Sequence, residues 1–364
     1  MVQNYDKDAD VTWILDYNEI HLIIQANPDG RQWVEKNTDP SKLHRKNRND
    51  YQCGVDSWRI GVDLNRNFPF KWNACDEIDR CSEGECTATL YRGPSKNSEQ
   101  ETKAIVNYAK SLFPNSNRKG NLQQSEAQMN TPFPLSNEGV FLDIHSFGNE
   151  VGWGWGYTKT PMPNEDQIGG LGRKMASFGN WGYWKGYLFD GGTIDTTYGW
   201  FGAASFFFEL GTRFSQPCED YPRIVNDALP ALMYAAKVSR SPYITSLGPD
   251  ILCTTISSTN KADGQYINVQ IEASDDKRTN NQKDDVTFKT GRQNIRLIEV
   301  WINCHPYSEE CQPTVKRSTP NAGRSATVSV QFKRPSGGGS GKKTMYIRAR
   351  DSSGTFGPVT ARYY

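Results

Sequence analysis

The sequence predicts an α/β layer fold over residues 1–242 and an antiparallel β-sandwich over residues 243–364. Three observations lead there. At 364 residues the chain exceeds what one hydrophobic core usually organises, so two domains are expected. Up to Pro242, short apolar runs alternate with helix-like segments, the pattern of a layered α/β domain. Beyond it, apolar and polar residues alternate with period two and no helical period intervenes.

In chain order, His21–Ala26, Gly139–Ile144 and Ser205–Leu210 read as strands, each closed by a polar or glycine-rich turn. Their continuous apolar character suits a sheet buried on both faces. Ser98–Leu112 and Tyr221–Val238 carry helical spacing, the first with Glu99 and Glu101 near its start and Lys110 near its end, which complements the helix dipole. In the second domain, Tyr266–Ala273, Ile295–Asn303, Ala326–Phe332 and Thr344–Arg350 alternate as half-buried strands. The Gly/Ser stretch between Arg334 and Gly341 reads as a hairpin tip.

Charge narrows the function. With 42 Lys plus Arg against 41 Asp plus Glu, there is no electrostatic footprint for nucleic acid or an anionic membrane surface. No apolar run approaches the roughly 20 residues that span a bilayer. The eight cysteines cluster locally: Cys75 and Cys81 are six apart, Cys304 and Cys311 seven. Such short loops read as disulfides of an oxidising, extracellular compartment. The opening residues hold no export signal, so the natural N-terminus is expected upstream of Met1.

Three groups of residues can carry chemistry. Glu209 lies in Ser-Phe-Phe-Phe-Glu-Leu-Gly, within the most apolar run. Burial there raises a carboxylate's pKa toward the range of a general base unless a cation or hydrogen bonds meet it. His145 follows Asp143 at a strand end, on one face with Phe141, where a carboxylate can seat a metal-ligating imidazole. The segments His44–Arg48 and Gly61–Asn67 supply guanidinium groups able to fork a carboxylate or hold an oxyanion. Each has a plainer alternative: a strand-end Glu reaching water, a hydrogen-bonded core His, a solvated basic turn. For Lys46 and Arg48 the solvated turn is expected.

Taken in order, Asn27-Pro-Asp-Gly30, Arg45-Lys46, Gly61-Val-Asp-Leu-Asn-Arg-Asn-Phe68, Tyr91-Arg-Gly-Pro-Ser95, Asp143-Ile-His-Ser146, Tyr187-Leu-Phe-Asp-Gly-Gly-Thr-Ile-Asp195 and Phe208-Glu-Leu-Gly211 resemble the zinc carboxypeptidases of the pancreatic A/B type and their bacterial relatives. The resemblance implies a three-layer αβα sandwich around a mixed sheet, with Zn2+ as cofactor and peptide or protein C-termini as partners. It implies that His145 is a zinc ligand and Glu209 the base that activates the attacking water. Arg45 would polarise the scissile carbonyl, Asn65 and Arg66 would clamp the terminal carboxylate, and Tyr187 would close over the bound residue. Ile194 matches the floor of the side-chain pocket, where an apolar residue accompanies apolar or aromatic C-terminal residues. Cys53 and Cys86 match positions bridged in many relatives, which leaves Cys218 and Cys253 as a possible staple between domains. Asp351-Ser-Ser-Gly354 with Phe356-Gly-Pro358 resembles the end of bacterial Ig-like modules, whose partner the sequence does not name.

The departure from the family lies in the metal-holding half. Two of the family's zinc ligands come from a His-x-x-Glu motif upstream of the Asn-Pro-Asp-Gly turn. None of the four histidines here begins one. The chain is therefore expected to be inactive as it stands, with Asp63 lacking the His it would orient and with strand edge left unpaired. Truncation explains the missing ligands and the missing leader together. A pseudoenzyme that binds peptide C-termini, or an adhesion protein led by the β-domain, are the competing readings. A pseudoenzyme would have no reason to keep Arg45, Arg66, Tyr187 and Glu209 together.

Overall fold

The computed structural model describes residues 1–37, 44–51, 53, 59–75, 81–113, 129–184, 188–276, 293–335 and 342–364. Two compact units emerge: His21–Leu232, and Met1–Ile20 together with Met233–Tyr364.

The first unit is built on a four-stranded mixed sheet. Its strands are β1 (Val140–His145), β2 (Glu150–Trp153), β3 (Gly182–Trp184) and β4 (Ala204–Glu209), in the order β1-β4-β2-β3. β1 and β4 run parallel, β2 lies antiparallel to β4, and β3 is parallel to β2. Ala204 to Phe208 are buried without interruption, as the continuous apolar run requires of a strand covered on both faces. The helix Glu165–Phe178 packs on the sheet, where Gly172 gives Trp153 the room that a side chain would take. The helix Thr193–Phe201 ends at Gly202, whose φ of 66° is the left-handed cap glycine adopts without strain.

Local sequence explains the other helices. Asn27 caps the helix Pro28–Lys36 by accepting the Gly30 N–H, and Pro28 takes the first turn, where no amide proton is needed. Gln100–Leu112 forms the helix expected from residue 98, burying Thr102, Val106 and Ala109.

The expected strand at His21–Ala26 does not form. A strand needs a neighbour to take its N–H and C=O groups, and among the described residues none pairs with it. Leu22 and Ile24 are consequently 78% and 95% exposed. β1 stands at the end of the sheet, and its Ile144 is 47% exposed.

The second unit carries two antiparallel sheets. One has the order β11-β10-β7-β8, from Thr360–Tyr363, Thr344–Asp351, Ile295–Ile302 and Val315–Ser318; the other is β5-β6-β9, from Asp250–Lys261, Gly264–Ser274 and Ser325–Lys333. The alternating strands read from sequence are all present. β5 was not foreseen because its Thr/Ser-rich face is mostly exposed and shows little apolar alternation. One apolar cluster joins both sheets, with Ile267, Val269 and Ile271 of β6 and Val330 of β9 meeting Ile298 and Val300 of β7 and Ile347 of β10. In the same unit the helix Ala9–Tyr17, capped by Asp8, buries Trp13 and Ile14 against Val359 and Ala361. The stretch 336–341, read as a hairpin tip, lies outside the described residues.

Disulfides join Cys53 to Cys86, Cys75 to Cys81 and Cys304 to Cys311. The staple between Cys218 and Cys253 is not made: both are free, exposed thiols.

Candidate active site

Parallel pairing of β1 with β4 sets His145 directly beside Glu209 and Asp143 beside Phe207. Period two then carries Asp143 and His145 to one face, as the sequence indicated. His145 Nε2 lies 2.8 Å from Asp143 Oδ2. Asn65 completes the group. Its Oδ1 accepts the Thr193 N–H at 2.9 Å, which fixes the amide so that Nδ2 faces Asp143 Oδ2 at 3.3 Å and His145 Nε2 at 3.0 Å. Asn65 Nδ2 and the Asp143 carboxylate thus both face His145 Nε2, and the role of that nitrogen depends on the ring's tautomer. The Thr193 hydroxyl donates to the same carboxylate oxygen.

Electrostatics follow from this packing. Burial pushes Asp143 upward, but the imidazole of His145, the Thr193 hydroxyl and Arg45 outweigh it and hold the carboxyl below its ordinary range. Burial alone would lower His145, and the adjacent Asp143 carboxylate raises it instead. Glu209 is raised chiefly by burial, with His145 and Arg45 opposing and the charges of Asp143 and Glu150 adding to it. A carboxyl raised in this way is suited to accept a proton.

The arginines are already engaged. Arg45 sets Nε 2.9 Å from Asp63 Oδ2, an ion contact, and donates through Nη2 to Oδ1 at 3.3 Å. Asp63 also accepts the Asn65 N–H at 3.1 Å. Asp63 thus has Arg45 as its partner where the sequence left it without one. Arg66 is 3% exposed; its Nε donates to the Cys81 carbonyl at 2.6 Å and its Nη1 to the Asn65 carbonyl at 2.8 Å. Ile194 is 2% exposed, packed with Phe189 and Phe207. Tyr187 lies outside the described residues.

Lys46 corrects the expectation of a solvated turn. It is 3% exposed, and its ammonium donates to the carbonyls of Arg59, Cys86 and Ala88 at 2.7–3.0 Å. Arg48 stacks on Trp33, 4.0 Å from the ring centroid. Sequence reasoning also passed over Thr193, whose hydroxyl completes the set of donors around Asp143. Its signal was available, since it stands next to Ile194 in the quoted motif.

Zinc ordinarily requires three protein ligands. A neutral imidazole such as that of His145 can supply one. Among the described residues no group of three His, Cys, Asp or Glu converges to hold a metal ion, so they do not complete a zinc site by themselves.

A carboxylate-seated imidazole beside a half-buried glutamate, with amide and guanidinium donors alongside, is the kind of constellation that metal-assisted hydrolases use. The zinc carboxypeptidase family profile matches residues 1–221, and the chain belongs to that family of hydrolases. It is 31% identical to human carboxypeptidase A1 over 220 residues, covering 58% of this chain and 44% of that protein. Human mast cell carboxypeptidase A is 28% identical over 167 residues, 46% of this chain and 32% of that protein. The chain thus spans less than half the length of these curated relatives. Thrombin activatable fibrinolysis inhibitor shares the fold with a TM-score of 0.52, at 21% identity over 65% of this chain and 55% of that one. No helix among the described residues is long and apolar enough to cross a membrane.

Proposed function

We propose that the complete enzyme is a secreted zinc carboxypeptidase that removes single residues from peptide and protein C-termini, and that this chain carries its substrate-gripping and proton-handling half. The observation that carries the reading is the register of β1 and β4, which sets His145 against Glu209 with the Asn65 amide alongside.

In this reading Asn65 holds the terminal carboxylate, assisted by Arg66, and Tyr187 covers the bound residue. Arg45 supports the oxyanion after its guanidinium leaves Asp63, an exchange of one anion for another at a side chain already 38% exposed. Glu209 takes the proton from the attacking water and returns it to the leaving amine. His145 is the zinc ligand that the described residues supply. Ile194, with no acid at its position, favours apolar over basic C-terminal residues. Residues 1–242 form the catalytic portion, and residues 243–364 form an accessory β-sandwich of the Ig-like kind.

Since one ligand does not retain zinc, this chain alone is expected to be inactive. After equilibration with micromolar zinc and gel filtration, metal analysis should find well under one zinc per chain, and peptides should release no C-terminal residue. Stoichiometric zinc accompanied by turnover would contradict the assignment of a single ligand.

A further inference from the structure

Beside the turn that meets Asn65 lies a small, tightly packed apolar cluster. The Thr193 N–H on Asn65 Oδ1 brings the turn that carries Phe189 to Ile194 against the amide. Phe189 and Ile194 of that turn cluster with Phe207 of β4, and the three are 7%, 2% and 8% exposed. The two rings meet edge to face, with centroids 6.1 Å apart.

Both rings pack directly on glycine backbone. A Cβ at Gly156 would stand 2.6 Å from the Phe189 ring and one at Gly192 2.5 Å; at Gly152 it would stand 2.1 Å from the Phe207 ring. The backbone there has already yielded all the space that glycine can give. Phe189 is further pinned by its own N–H, which donates to the Gly156 carbonyl at 2.8 Å, and by the Arg66 guanidinium 5.3 Å from its ring centroid. The cluster is a packed core, and a large side chain could enter only by displacing a ring, the overpacking that dense interiors resist.

We propose that Phe189 and Phe207 are specificity-determining residues that fill the side-chain pocket beside Asn65, so that the chain takes peptides ending in glycine or alanine and rejects those ending in leucine or phenylalanine. This rests on the reading of Asn65 as the carboxylate clamp. It keeps the apolar character expected from Ile194 and reverses the size: the floor is apolar, but two rings stand where an aromatic residue would.

The test is calorimetric titration of the full chain with acetylated tripeptides that differ only in the last residue, Gly, Ala, Leu or Phe, each as free acid and as amide. The alanine acid should bind at least about tenfold more tightly than the phenylalanine acid, the scale on which pockets discriminate side-chain size. Phe189→Ala should narrow or reverse that ratio. Phe189→Leu, a milder change, should shift preference toward the leucine acid, and near-UV circular dichroism checks that each variant is folded. If the phenylalanine acid binds the unaltered chain as tightly as the alanine acid, the inference fails while C-terminal capture stands. If acids and amides bind alike, or none binds, the clamp reading beneath it fails as well.

Discussion

Asp195 carries a pH signature of its own. Burial raises its carboxyl to about 7, and the charge of Asp190 adds to this, while the N–H groups of Gly156 and Tyr157 hold it back. The folded-state value lies above the unfolded one, so between pH about 4 and 7 the folded chain keeps a proton that the unfolded chain releases. Stability from this group is therefore full at low pH and is lost as pH rises through that window. Urea titrations across pH 4–7 should show Asp195→Asn losing less stability with rising pH than the unaltered chain. Parallel pH profiles for the two proteins would contradict the buried-acid account. At Asn65, substitution by Ala strands the Thr193 N–H and removes a donor from Asp143, so a loss of about 1–3 kcal/mol is expected by chemical denaturation, together with loss of peptide-acid binding. The pairing of Asp143 with His145 was legible because period two alone places them together. The burial of Lys46 was not, because three carbonyls from distant segments create its site and no local pattern records them.

Strands and helices were most legible where the chain supplies both the pattern and the partner. β1 and β4 form where continuous apolar runs predicted them, and Phe208 of β4, paired with Ile144, is fully buried. Phe208→Ala should cost about 3–5 kcal/mol of unfolding free energy. His21–Ala26 has the same apolar character yet no partner strand among the described residues, so composition alone misassigned it. At Ile24, 95% exposed, substitution by Lys should change stability by no more than about 0.5 kcal/mol. A loss of several kcal/mol there would show that the segment is buried in a sheet after all. The apolar surroundings of Ile194 were legible in kind but not in shape, because Phe189 and Phe207 pack on it from a turn and from β4.

For the whole molecule, the order of short motifs along about two thirds of the chain carried the family assignment, and the matching profile over residues 1–221 agrees with it. The three local or resemblance-based disulfides were legible from spacing and motif, whereas a bridge chosen by elimination, Cys218 to Cys253, was not made. Elimination carries no geometry, and a disulfide demands it. In the proposed function this chain recognises a peptide through its terminal carboxylate, with Asn65 as the first point of contact. Calorimetry of the unaltered chain with an alanine-ended peptide and its C-terminal amide tests it most directly. The acid should bind and the amide should bind at least about tenfold more weakly, since charge-assisted hydrogen bonds to the carboxylate are lost; equal affinity for the two would contradict it.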